Sequence, residues 1–232
     1  VPAVGVDRQR DETGTRAAQG VDGVGVGGAL DDDAVAVAKE KGLVPVAKIS
    51  ADITTAFKDA KLVDGFYTGT VRDNRLRESS LGNMVANAWL WGMNQPGRTG
   101  AEIGIMNPGG VRADLVKTGD GSVTYRDVAT VQPFANTLVT VTLTGAQLRS
   151  ILEEQWRADG SKLHLGVSGG FAYKYDPAAA AGSRIKAMTF QGRTIASTDT
   201  FTVVLRVNPT SPVTVNLGSN FVRCTPTNLV FH

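Results

Sequence analysis

Hydrophobic positions along the chain change period several times, and each change predicts a new element. Leu81, Met84, Val85, Ala88 and Trp89 fall at helical spacing, which predicts a helix starting at Ser79 or Ser80 and ending at Gly92. Leu148, Ile151, Leu152 and Trp156 give another helix one apolar face. Ahead of it, Thr144-Gly145-Ala146-Gln147 has the spacing of a capping box, in which hydroxyl and amide satisfy each other's backbone donors. Leu138–Leu143 alternates like a strand, and Phe171, Tyr173 and Tyr175 alternate with Ala172 and Lys174 as in a half-buried one. Ala101–Met106, Ile185–Phe190, Phe201–Leu205 and Leu43–Ile49 read as further strands. Lys58–Thr70 reads as irregular, Asp120-Gly121 as a turn and Tyr125–Thr130 as a short helix. Asp32 or Asp33 can cap a helix over Ala34–Lys41 that stops at Gly42. Helices and strands interleave irregularly, which predicts an α+β fold, a mixed β-sheet with packed helices, over a doubly wound one.

Composition narrows this picture modestly. The chain has 232 residues, enough for one large domain or one domain with an appendage, and it can bury a core without disulfides or metals. A formal net charge of +2 sets up no field that would favour nucleic acid or a membrane surface. Cys224 is the only cysteine, which excludes an internal disulfide and a multi-thiolate zinc site. No apolar run is long enough to span a bilayer, and the N-terminus lacks a basic-then-apolar leader pattern. Residues 1–30 carry no periodicity and read as a linker or disordered segment. Within them Gly23-Val24-Gly25-Val26-Gly27-Gly28 matches a dinucleotide fingerprint, but no strand precedes it. Asp31-Asp32-Asp33 also puts carboxylates where phosphate would sit.

The candidate chemistry lies elsewhere. Ile103-Gly104-Ile105-Met106 delivers the chain to Asn107-Pro108-Gly109-Gly110-Val111-Arg112. Gly109 and Gly110 let a ligand approach the backbone, Arg112 can grip phosphate or carboxylate with two parallel hydrogen bonds, and Asn107 can donate and accept. The plainer alternative is a tight turn with a surface arginine. Arg72, Arg75 and Arg77 precede a helix N-terminus, where cations are mildly unfavourable unless an anion sits among them. A solvated loop with Asp73 and Glu78 as partners is the other reading. Phe134 follows a proline and is either a stacking platform for a base or a core residue; Asn136 either reads a base or ribose edge or caps a turn. Of the two histidines, His232 is the last residue and His164, expected on a strand, reads as structural. No H-E-x-x-H, G-x-S-x-G or phosphate-loop motif occurs, and the chain cannot supply the ligands of a dinuclear hydrolase, so no catalytic residue is assigned.

Taken in register, Arg75-Leu76-Arg77-Glu78-Ser79-Ser80-Leu81-Gly82-Asn83, the stretch Met106–Arg112, Gln132-Pro133-Phe134-Ala135-Asn136 and the Leu143-Thr144-Gly145 junction resemble the C-terminal domain of 5'-nucleotidases. The resemblance runs from about residue 33 to 205, which divides the chain into residues 1–30, a domain over 31–205 and a divergent tail over 206–232. It implies that Arg75 and Arg112 contact a substrate phosphate beside Gly109 and Gly110. It also implies that Asn107 and Asn136 contact ribose or base, and that Phe134 is one wall of a base clamp. It further implies a nucleoside or nucleotide ligand and a secreted, periplasmic or cell-surface location. An N-terminal metallophosphoesterase domain, absent from this sequence, would hold a divalent metal pair and do the hydrolysis, leaving no cofactor in this chain and the chain alone inactive. After Phe201–Leu205 the family has a second phenylalanine and then Gly-Gly-Asp. This chain has Arg206-Val207-Asn208-Pro209 and no aromatic before Phe221, through divergence or a change of reading frame. The rival expectation is a non-catalytic structural or interaction protein that kept the fold and lost the clamp.

Overall fold

A computed structural model describes residues 36–134 and 136–207, with the backbone of two further strands at 213–217 and 220–224. The N-terminal segment, the glycine motif within it and the start of the first expected helix lie outside the described residues. Residues 36–42 are helical (α1), and the chain divides into one compact unit ending at Lys41 and a second from Gly42 onward. The second unit contains the sheets and all seven candidate site residues.

In chain order the strands of this second unit are β1 (Pro45–Lys48), β2 (Lys61–Val63), β3 (Phe66–Thr68), β4 (Ile103–Met106), β5 (Ser122–Thr124), β6 (Thr137–Thr144), β7 (Gly166–Val167), β8 (Phe171–Tyr175), β9 (Ile185–Phe190), β10 (Arg193–Thr194), β11 (Thr200–Val207), β12 (Val213–Leu217) and β13 (Asn220–Cys224). Its helices are α2 (Ser80–Met93), α3 (Tyr125–Val131) and α4 (Gly145–Glu153). The fold is α+β. Its central sheet has the order β6-β11-β4-β7, with β11 parallel to β4 and antiparallel to β6, and β7 antiparallel to β4. The inner strand β4 is buried along its whole length, and Phe201, Val203 and Val204 of its neighbour β11 are buried beside it, because both faces of the sheet are covered. Leu81, Val85, Trp89, Met106, Val111 and Val204 form one core cluster, which includes α2; Ile103, Ile105, Leu148, Leu152, Phe171, Met188 and Phe201 form the other, with α4 and the β10-β9-β8 sheet.

The expected caps form, with one change. Ser79 caps α2 by accepting from the Gly82 N–H at 3.0 Å, and Thr144 and Gln147 close the capping box at α4. Gly92 does not end α2. The helix runs to Met93 and Asn94 caps it, its side-chain amide donating to both the Leu90 and Ala101 carbonyls at 2.9 Å. Gly82 instead serves helix–sheet approach: a Cβ on Gly166 of β7 would stand 2.5 Å from the Gly82 carbonyl carbon, so side chains would hold α2 away.

The stretch Lys58–Thr70 is not irregular. It folds as the β2–β3 hairpin, whose turn residues Asp64 and Gly65 both have positive φ, 49° and 83°. An Asp-Gly pair between Lys61-Leu62-Val63 and Phe66-Tyr67-Thr68 is a hairpin signal, and the stretch's polar flanks concealed it. Leu43–Ile49 contributes only the short β1, paired with β5. His164 lies in the loop before β7, not on a strand.

Candidate site at the end of the central sheet

Topology brings the candidate residues together. β4 and β11 are parallel, so their C-terminal ends share one edge of the sheet, and antiparallel β6 begins at that edge. The segments that leave or enter there are Asn107–Arg112 after β4, Arg206 at the end of β11, and Phe134 and Asn136 just before β6. The crevice beyond the carboxyl ends of strands is where open sheets leave room for ligands.

The turn after β4 is built from its own amide. Asn107 caps a single 3₁₀ turn at Pro108–Gly110 by accepting from the Gly109 N–H at 3.0 Å. Its side chain therefore has a structural role in addition to the ligand role that resemblance implies. The two glycines are not equivalent. A Cβ on Gly109 would meet only ordinary contacts, among them Arg75 Nη1 at 3.7 Å. A Cβ on Gly110 would lie 2.7 Å from Met106 Cε and 3.0 Å from Arg206 Nη2, so a side chain there would have to push these two side-chain ends aside. Gln132 donates to the Gly110 carbonyl at 2.9 Å and the Arg112 N–H donates to the Val131 carbonyl at 2.9 Å, tying the turn to the segment that carries Phe134.

Arg112 and Arg206 both lie against Phe134, with guanidinium carbons 5.2 and 5.0 Å from the ring centroid. The ring is 41% exposed, so the structure takes it out of the core. Arg206 also lies 6.0 Å from the ring of Trp89 on α2. Asn136 turns its amide oxygen to Arg206, at 2.9 Å from Nε, because the opposite orientation would set N–H against N–H. Burial, then the charge of Arg112, push the Arg206 pKa below its ordinary value. Of the seven candidate residues, Arg112, Phe134 and Asn136 meet around Arg206 and Asn107 bonds Gly109 beside Gly110, while Arg75 Nη1 lies 3.7 Å from where a Cβ on Gly109 would stand.

The basic cluster before α2 resolves differently. Arg72 forms a two-pronged pair with Asp114 at 3.0 and 3.1 Å, and Thr55 donates to the same carboxylate from its N–H and its hydroxyl. Burial works against that carboxylate's charge, but these bonds outweigh it and hold Asp114 below the usual carboxylate range. Arg75 pairs with Asp73 at 2.8 Å, which raises its pKa. A shallow pocket remains between Asp73, Arg75, Arg77 and Ser79 on one side and Pro108 and Val111 on the other. Glu78 accepts from Asn83 at 2.7 Å. The expected partner of Arg72 was Asp73 or Glu78; Asp114, far along the chain, takes that place.

Arg206 is the site residue that sequence reasoning missed. Its signal was strand alternation: Val204 faces α2 and so does Arg206 two residues on, but only the β4–β11 pairing sets it beside Gly110.

A family model described as "5'-nucleotidase, C-terminal domain" matches residues 52–207. The chain belongs to that family. Among its relatives, the trifunctional nucleotide phosphoesterase protein YfkN of Bacillus subtilis is 35% identical over 116 residues, covering 47% of this chain and 8% of that protein. The 5'-nucleotidase of Vibrio vulnificus is 38% identical over 78 residues, 34% of this chain and 12% of that protein. The crystal structure of a 5'-nucleotidase precursor from Thermus thermophilus superposes with a TM-score of 0.54 at 25% identity, over 76% of this chain and 32% of that one. This 5'-nucleotidase C-terminal domain therefore spans a minor part of the relatives it matches.

Among the described residues no three His, Cys, Asp or Glu side chains group as metal ligands. The donors at the sheet edge are guanidiniums, amides and a ring, which suit an anion and repel a divalent cation. They do not fit the metal pair that the resemblance places in another domain. No helix among the described residues is long and apolar enough to cross a membrane.

Proposed function

We propose that this chain is the substrate-recognition domain of a longer 5'-nucleotidase, binding the nucleotide while a separate two-metal phosphoesterase domain cleaves it. The observation that carries this reading is the meeting of Arg112, Arg206 and Phe134 at the mouth of the Gly110 turn. Two guanidiniums without a carboxylate partner among the described residues offer a phosphate charge-assisted hydrogen bonds. In this reading the half-exposed Phe134 and the Asn107 and Asn136 amides contribute to holding the nucleoside. In this role the domain orients and holds; it moves no proton and breaks no bond. A relative named cell wall protein in Listeria monocytogenes, 32% identical over 127 residues and matched over 16% of its length, supports a cell-surface or secreted location.

Calorimetric titration of the chain with AMP tests the reading. Heat of binding is expected, and Arg112→Ala should reduce affinity about ten- to a hundredfold, the loss of a charge-assisted pair. A folded sample that releases no heat with AMP or adenosine would sink it. One observation favours the second reading, a fold retained as an interaction module: no phenylalanine stands in register after β11, so a two-sided ring clamp has lost one wall. Under that reading neither AMP nor adenosine raises the melting temperature.

A further inference from the structure

We propose that Arg206 is a phosphate-gripping residue of this domain: with Arg112 it forms a two-guanidinium seat on Phe134 that selects ligands by their phosphate more than by their base. The inference rests on the nucleotide-recognition reading above and specifies which part of the ligand dominates.

Three observations carry it. First, Arg206 is half-buried and, among the described residues, has no carboxylate within ion-pair distance, whereas Arg72 and Arg75 each have one. Its polar partner is the single amide oxygen of Asn136, which faces Nε, Nη2 and Nη1 at 2.9, 3.2 and 3.3 Å. One carbonyl oxygen has two lone pairs and a guanidinium has five N–H donors, so donors remain for a ligand. Second, Arg112 and Arg206 share one ring, at 5.2 and 5.0 Å from its centroid, although their charges repel. The ring quadrupole holds both cations, and an anion seated against them would relieve the repulsion. Third, Gly110 leaves the space that Arg206 Nη2 occupies, 3.0 Å from where a Cβ would stand, so the turn is shaped to admit this guanidinium.

The consequence for Phe134 is a change of duty. A ring in contact with two guanidiniums serves as a seat for cations. With no second phenylalanine in register after β11, the base has little left to grip. The ligand class that fits is a phosphate monoester in its doubly charged form, matched by two forked cations.

Titration of the full chain with AMP, adenosine and inorganic phosphate, run on wild type, Arg206→Gln and Arg206→Lys, decides the matter. Wild type should bind AMP at least about tenfold more tightly than adenosine, and Arg206→Gln should weaken AMP about ten- to a hundredfold while leaving adenosine unchanged. Arg206→Lys keeps the charge but not the fork, so an intermediate AMP affinity is expected; that variant carries the test if the glutamine variant melts early. Unchanged AMP affinity in both variants overturns the inference and leaves nucleotide recognition standing. Adenosine binding as tight as AMP also overturns it. Phosphate binding that needs Arg206, with AMP no tighter than phosphate, supports the seat and removes the nucleotide reading. Absence of binding by all three probes removes both.

Discussion

Arg72 and Arg206 are both half-buried guanidiniums within the same domain, yet their charges are met in different ways. Arg72 lies in a fork-to-fork pair with Asp114, whose carboxylate also takes the N–H and hydroxyl of Thr55. Arg206 meets rings, an amide oxygen and the repulsion of Arg112. The first arrangement completes itself and joins segments about forty residues apart; the second leaves guanidinium donors without a carboxylate among the described residues, the feature on which the proposed phosphate seat rests. A third buried polar group, His164, shows the remaining option, which arginine lacks. The Tyr173 hydroxyl lies 3.1 Å from Gln155 Oε1 and 3.2 Å from His164 Nε2; with its proton given to Gln155, Nε2 is the donor and Nδ1 the bare nitrogen. Nδ1 is buried without a partner, so a second proton has nowhere to donate. Burial, with the nearby Lys162 charge, pushes the His164 pKa down to about 4 and the ring stays neutral. A histidine can shed its charge; an arginine keeps it, and its surroundings must accommodate a cation.

The contrast can be broken at its paired end first. Asp114→Ala would turn Arg72 into a second Arg206, a half-buried cation with nothing to meet it, and should cost about 3 kcal/mol in urea unfolding. A loss under about 0.5 kcal/mol would show that the pair is solvent-screened and that the two arginines are not different in kind.

Next comes acid. His164 has its folded pKa below the ordinary 6.5, so the unfolded chain binds the extra proton between about 6.5 and about 4. Stability should therefore fall as pH drops through that window, by on the order of 2–3 kcal/mol, and level off below it. Histidine-to-asparagine replacement at this position (His164→Asn) should flatten the slope, read as urea midpoints against pH. A wild-type slope that the variant retains in full would assign it to other groups.

Gly110→Ala tests the open end. The added methyl pushes on Met106 and Arg206, both movable side chains, so the expected stability loss is about 1–2 kcal/mol, with a larger fall in AMP affinity as Arg206 is displaced. Smallest of all should be Arg206→Gln, whose thermal stability stays within about 0.5 kcal/mol of wild type because lost contacts are offset by relief of repulsion from Arg112. A drop of several kcal/mol there would recast Arg206 as a structural residue like Arg72.

Local signals were legible where local physics decides. Ser79 and the Thr144–Gln147 box announced their helices because capping is satisfied within four residues, and the apolar periods of α2 and α4 follow from the faces they bury. The β2–β3 hairpin was equally local, and Asp64-Gly65 could have revealed it. The family was legible too, since Arg75, the diglycine turn and Phe134 stand in register along the chain. Partners across long separations were not. That Arg72 finds Asp114, that Gly110 is more closely packed than Gly109, and that Arg206 reaches Phe134 all depend on which strands pair. Sequence alone determined the helices and the turn chemistry, because those are set by neighbours a few residues apart. Tertiary structure decided which guanidiniums meet carboxylates and which meet a ring and an amide, because long-range pairings such as that of parallel β4 with β11 choose what each one faces.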